Sequence, residues 1–265
     1  MYNGGNGGDS TVEIMWRQGS LKVKFDTDYT FTYPQKTEGL SGIVFEDVPY
    51  VENVPVSYFH PEKLNYWPLV NPCTINGIKC KVTSDSVKPL EECTDVKGDW
   101  ITSGGAEISA NADVNVYYIY ANGGFNSTEQ LIQQQQAMVD HGSEKYIMIA
   151  SHRSMKELTR VDDTYIPRMT AAFGDHVLYL NKEIRLRAAE ITWRAGVYDS
   201  IIGFYGNDDD WNYVLQGKIP KSLFLSDLHH PNEYGCKAFA MLIHDKMVKL
   251  GYLDDDYILF TGGDL

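Results

Sequence analysis

Residues 114–150 read VNVYYIYANGGFNSTEQLIQQQQAMVDHGSEKYIMIA, and this stretch decides the fold class. It opens with an apolar run over 114–120, rich in the β-branched and aromatic residues of a buried strand. Asn122, Gly123 and Gly124 interrupt that run with loop chemistry. The spacing then predicts a helix over 127–141, with Ser127 as its cap. A second apolar run, 146–150, predicts another strand. Strand, helix and strand in that order make two strands parallel, because the helix carries the chain back to the starting edge.

Downstream the alternation continues. A helical pattern covers 157–173 with Pro167 as a break or kink, a strand is expected at 177–180, and helices at 184–193 and 207–216. A last helix carries Tyr234, Phe239, Leu242, Ile243, Met247 and Leu250 on one face, with Pro231 expected at its first position. Strands alternating with helices imply a parallel sheet covered by helices on both faces. Ligands of such sheets bind at the carboxyl ends of the strands. The loops after Tyr120, after Ala150 and before His230 are therefore expected to share one rim.

Upstream the character changes. Residues 20–112 hold short alternating runs punctuated by Gly, Pro, Asn and Asp, and Asn76-Gly77 is a two-residue hairpin signal. They predict a small antiparallel β domain. Residues 1–19 begin with glycine-rich turns, followed by a short helix in which Ser10 and Glu13 have capping-box spacing. The expected domains are thus an α/β domain from 1–19 and 113–265, and an inserted all-β domain at 20–112.

Composition bounds the partners. The chain has 265 residues and a net charge of −13, which disfavours a nucleic-acid backbone or an anionic membrane as the main partner. No apolar run approaches the ~20 residues of a membrane span. Residues 1–10 show neither a basic region nor an apolar core of a signal peptide, and the compartment stays open between cytoplasmic and exported. Cys73, Cys80, Cys93 and Cys236 lack zinc spacing; a Cys73–Cys80 bridge and free thiols are both open readings. The runs 208–210 and 254–256, each three aspartates, lack the spacing of a calcium loop and read as a helix cap and a solvated tail. Neither metal nor cofactor is expected.

Two local patterns carry chemistry. In Asp227-Leu228-His229-His230 the carboxylate lies three residues before His230. At that spacing it can hold one imidazole nitrogen and leave the other as a base. Asn122, at the end of a strand among glycines, can aim an amide N–H at an anionic intermediate. Each has a plain local reading as well, a helix-start cap and an Asn-Gly turn.

Three stretches in order resemble the second, third and fifth sequence blocks of the SGNH/GDSL hydrolases, in the subgroup with an inserted β domain. They are Asn3-Gly4-Gly5-Asn6-Gly7-Gly8-Asp9-Ser10, Ile119-Tyr120-Ala121-Asn122-Gly123-Gly124 and Ser226-Asp227-Leu228-His229-His230. Arg17-Gln18-Gly19, the run from Val70 to Gly77, and Gln216-Gly217-Lys218-Ile219-Pro220 look like the same subgroup. The resemblance implies a flavodoxin-like three-layer sandwich and hydrolysis of carboxylic esters, on a small-molecule or glycan substrate. His230 would be the base, Asp227 its orienting partner, and Gly8 and Asn122 would supply oxyanion-hole donors.

The chain departs from the family at its first block, where a strand leads into Gly-Asp-Ser with the nucleophile. Gly8-Asp9-Ser10 has those letters, but glycine and asparagine precede it, so Ser10 reads first as a cap and only second as a substitute nucleophile. The expected sheet then lacks its N-terminal strand–helix–strand, and a homo-oligomer or partner would cover the open edge. Tyr120 stands where the family usually has Gly, and Tyr257-Ile258-Leu259-Phe260-Thr261 followed by Gly262-Gly263-Asp264-Leu265 reads as a tail. The competing expectation is an inactive, carbohydrate-binding or structural module using Tyr58, Phe59, Tyr66 and Trp67.

Overall fold

Helix α1 (Thr11–Gln18) starts where the capping box predicts. Ser10 Oγ accepts from Glu13 N at 3.3 Å, and Ser10 N donates to Glu13 Oε2 at 2.7 Å. Gly19 ends the helix at φ +102, and a Cβ there would come 2.4 Å from Ala106 Cβ and His141 Nε2. Only glycine fits that turn and that contact. The computed structural model describes residues 8–40, 42–60, 71–119, 122–150 and 164–254. It contains helices and strands in two compact units.

The first unit comprises Met1–Asn115 and Ile119–Glu144. Its strands are β1 (Val23–Lys24), β2 (Thr30–Phe31), β3 (Thr37–Glu38), β4 (Val44–Phe45), β5 (Cys73–Ile75), β6 (Ile78–Val82), β7 (Ser86–Pro89), β8 (Val96–Lys97) and β9 (Ile101–Thr102). Seven of them form one antiparallel sheet in the order β3-β7-β6-β5-β9-β1-β4, while β2 pairs with β8. Asn76 (φ +50) and Gly77 (φ +80) make the mirror-image turn that suits a two-residue hairpin. The turn sets Ile75 opposite Ile78 and Cys73 opposite Cys80. All four cysteines are free thiols. Burial pushes the Cys73 thiol up to about 12 and the Cys80 thiol up to about 11, so both stay protonated at neutral pH.

Helices α2 (Gly105–Ala110) and α3 (Thr128–His141) complete this unit. Ser127 caps α3 as expected, its Oγ accepting from Gln130 N. The buried face of α3 carries Gln130, Gln134 and Gln135 beside Leu131 and Met138. Gln130 Nε2 donates to Glu52 O at 2.9 Å, and Gln134 Nε2 donates to Tyr50 O at 2.9 Å and Gly124 O at 2.8 Å. Trp16 Nε1 donates to Ile101 O at 3.1 Å. By these bonds α1 and α3 join the antiparallel strands, with which they share one compact unit.

The second unit comprises Val116–Tyr118 and Lys145–Leu265. Its three-stranded sheet has the order β10 (Asn115–Tyr118), β11 (Tyr146–Ala150), β12 (Val177–Tyr179). The β11–β12 pair is parallel, with Met148 opposite Val177. Strand β10 is covered less than its apolar run suggests, since Val116 is 39% and Tyr118 52% exposed. Helices α4 (Ile166–Phe173), α5 (Leu180–Leu186), α6 (Ala188–Arg194), α7 (Ile201–Tyr205), α8 (Asp208–Leu215) and α9 (Glu233–Lys249) follow. Pro167 lies in the first turn of α4, where its missing N–H costs nothing. The single helix expected over 184–193 is two helices that meet at Arg187. Ile147, Ile149, Leu178, Ile184, Ile191, Met241 and Leu242 form the unit's core. No helix among the described residues is long and apolar enough to cross a membrane.

Candidate functional site

The loop before α9 is closed by backbone bonds at both ends. Leu225 N donates to His230 O at 2.9 Å, and Leu228 N donates to Leu225 O at 2.9 Å. Asn232 fixes the loop to the helix. Its Oδ1 accepts from Gly235 N at 3.0 Å, and its Nδ2 donates to Ser222 O at 2.8 Å and Phe224 O at 3.1 Å. Asn232 is therefore the cap of α9, and Pro231, expected inside the helix, precedes the cap and bridges Phe224. An Asn side chain offers the capping oxygen that proline lacks. Gly235 is required here, because a Cβ would sit 2.2 Å from Leu223 O.

Within this loop Asp227 and His230 form the dyad that their spacing predicts. Asp227 Oδ2 contacts His230 Nδ1 at 2.7 Å. Asp227 Oδ1 accepts from His229 N at 2.9 Å and His230 N at 3.0 Å. The His230 imidazole beside it, then the two backbone N–H groups, hold the Asp227 carboxyl well below the usual carboxylate range. An ionised Asp227 takes the proton-bearing Nδ1 as partner, which leaves Nε2 with its lone pair. The His230 side chain is 68% exposed, and its Nε2 has no partner among the described residues. His229 stands edge-on to the His230 ring at 4.8 Å and makes no bond to Asp227 through its side chain among the described residues.

Leu228 holds φ +54 in the middle of the dyad loop. That region costs an L-residue with a Cβ roughly 1–2 kcal/mol. Leu228→Gly is expected to leave the melting temperature unchanged or raise it by about 2 °C, since relief of strain offsets the added freedom of the unfolded chain. Leu228→Val, branched at Cβ, is expected to lower it. Thermal unfolding of the two variants checks this ordering, and a reversed order contradicts the strain.

The remaining expected site residues lie in the first unit. Gly8 is exposed at φ +86. Asp9 is buried and ion-paired with buried Arg17. Asn122 Nδ2 donates to Asp9 O at 3.0 Å, and Thr11 N donates to Gly123 O at 2.9 Å. The structure thus brings Asn122 to the Asp9–Ser10 peptide, next along the chain from the one that joins Gly8 to Asp9. An amide carries two N–H groups, and this bond fixes the plane in which the second points.

Ser10 is 2% exposed. Its hydroxyl donates to Tyr58 O at 2.6 Å and accepts from Glu13 N, so its one proton is committed to a carbonyl. The geometry is that of a cap.

Sequence reasoning missed one arrangement altogether. Glu13, 0% exposed, holds His60: the His60 Nδ1 lies 2.7 Å from Glu13 Oε1, and His60 N donates to the same oxygen at 3.1 Å. Forty-seven residues separate the two, so no local pattern announces the pair. Among the described residues no group of three or more His, Cys, Asp and Glu side chains is placed to hold a metal ion. Met1 to Gly7, the loop after Ala150, Tyr66, Trp67, Tyr120 and the run from Tyr257 to Leu265, all singled out in the sequence, lie outside the described residues. No family model, no curated protein and no solved structure matches this chain.

Proposed function

We propose that the chain carries the base and the oxyanion donors of a carboxylic-ester hydrolase of the SGNH/GDSL type, built on a flavodoxin-like α/β domain. His230 is the general base and Asp227 its orienting carboxylate. The same resemblance gives Gly8 N–H and the Asn122 amide, both within the first unit, the part of oxyanion donors. The observation that carries the reading is the 2.7 Å Asp227–His230 contact with Nε2 turned out to solvent. The parallel β11–β12 pair is consistent with the fold. On this reading Ser10 serves as the cap of α1, its hydroxyl buried and bonded.

Incubation with p-nitrophenyl acetate tests this, using the chain as given and a version extended upstream in its gene. Turnover in either form, with Ser10→Ala within about threefold of the parent and fluorophosphonate labelling retained, is the expected result. If neither form exceeds the buffer rate, the hydrolase reading fails.

One observation favours a second reading, a non-catalytic glycan-binding module. A hollow of about 400 Å³ in the first unit is lined by Glu52, Asn53, Asn126, Glu129, Gln130 and Gln133. Amides and carboxylates of this kind suit sugar hydroxyls. Glycan binding lost in Gln133→Ala, with no turnover in any form, would select this reading over the first.

A further inference from the structure

We infer that His60, aimed by Glu13, is the group that meets the alcohol side of the ester, accepting a hydroxyl of a polyhydroxylated alcohol at Nε2. The inference rests on the ester-hydrolase reading above.

The cap of α1 does not explain why residue 13 is an acid. A capping box is built with Gln as well as with Glu, since it needs only one side-chain oxygen. Here one oxygen, Oε2, serves Ser10 N, and the other serves His60 twice. Burying a carboxylate completely is costly unless its bonds compensate. This one secures the imidazole as an Nδ1–H donor, which leaves the Nε2 lone pair as an acceptor. The His60 side chain is 40% exposed, and Nε2 has no partner among the described residues. A histidine that only filled space would not need a buried anion to set which way its ring faces.

The place of the pair gives its ligand. Phe59 is extended (φ −103, ψ 123) and 2% exposed, and it anchors the segment between half-buried Tyr58 and His60. The Tyr58 ring lies against Gly123, where a Cβ would be 2.8 Å from Tyr58 Cε1. Tyr58 O accepts the Ser10 hydroxyl, and Asn122 is bonded to Asp9 O. Residues 58–60 are therefore strapped across the start of α1 and the loop that carries Asn122. An acyl oxygen held by Gly8 and Asn122 leaves the alcohol to be met by groups on this strap. A strap that carries both an oriented hydroxyl acceptor and a half-buried tyrosine offers the kinds of group that a sugar hydroxyl and an apolar sugar face engage.

The test uses the whole chain with histidine ring nitrogens labelled with ¹⁵N, titrated by NMR with two probes. One is methyl 6-O-acetylglucopyranoside and the other is p-nitrophenyl acetate, which has no sugar. His60→Asn is the informative variant. Its amide nitrogen falls near the position of Nδ1 and keeps the donor to Glu13, but nothing replaces Nε2. The expected result is a shift of the His60 Nε2 resonance with the sugar ester alone. His60→Asn should weaken the sugar ester about tenfold and leave the aryl ester unchanged. Unchanged sugar-ester binding in His60→Asn, or equal loss of both probes, overturns the inference and leaves the hydrolase reading standing. Binding of the aryl ester alone does the same. Binding of neither probe overturns both. Should His60→Asn fail to fold, the parent decides: no Nε2 shift with bound sugar ester overturns the assignment.

Discussion

His230→Ala is expected to lower kcat/KM for p-nitrophenyl acetate about 10³–10⁴-fold in whichever form of the chain turns over. The imidazole is the one group that combines an oriented Nδ1–H with a solvent-facing Nε2 in its loop. Removing it leaves oxyanion donors and binding, which alone supply a small residue of catalysis. The loop itself should survive, because Leu225 N bonds the backbone oxygen of residue 230, not its side chain. An unchanged melting temperature is therefore part of the expectation. Asp227→Asn separates the roles further. The amide can still accept from the two backbone N–H groups, but it no longer favours the Nδ1–H tautomer. Its rate should fall by a comparable factor with little change in KM. Steady-state kinetics with both variants would decide the matter, and a rate within threefold of the parent for His230→Ala would remove the base from the mechanism.

Trp16→Ala is expected to destabilise the first unit by about 3–5 kcal/mol. Trp16 is 0% exposed, meets Phe59 edge-on at 5.2 Å and donates through Nε1 to Ile101 O. Truncation removes a large apolar surface, opens a cavity under the strands and strands one carbonyl of β9. Domains of this size have only about 5–15 kcal/mol in total. Trp16→Phe keeps most of the ring and loses the hydrogen bond, so about 1–2 kcal/mol is expected. Denaturant unfolding measures both. The effect should also reach the strap, because Phe59 lies between Tyr58 and His60. A loss under 1 kcal/mol for the alanine variant would contradict the packing described.

Much of the fold was legible where the physics is local. Ser10 with Glu13, Ser127 and the Asn76-Gly77 turn each satisfy their own backbone within four residues, and each stands where its spacing places it. Pro231 was misplaced by two positions because two local preferences competed, and the Asn232 oxygen won the cap. Strands β3 and β8 gave little signal, since two residues cannot show a period and their partners, Ser86 and Val87 for one and Thr30 and Phe31 for the other, lie far along the chain. Gln130 and Gln134 of α3 are polar yet buried, because they latch the backbone carbonyls of Glu52 and Tyr50, partners no local pattern in the sequence announces. The site divides the same way. Asp227 and His230 are three residues apart and could be paired on paper, whereas Glu13 and His60 meet only through folding.

The large sheet of the first unit ends in β3 on one side and β4 on the other, two residues each. At the β3 rim Lys36 and Glu38 pair in open solvent. Stubs of that length expose too few amide groups to template a visiting strand, and charge at the rim deters one further. Among the described residues this sheet thus offers copies of the protein no continuous hem along which to zip into a ribbon, so lasting association through these rims would be stitched by side chains.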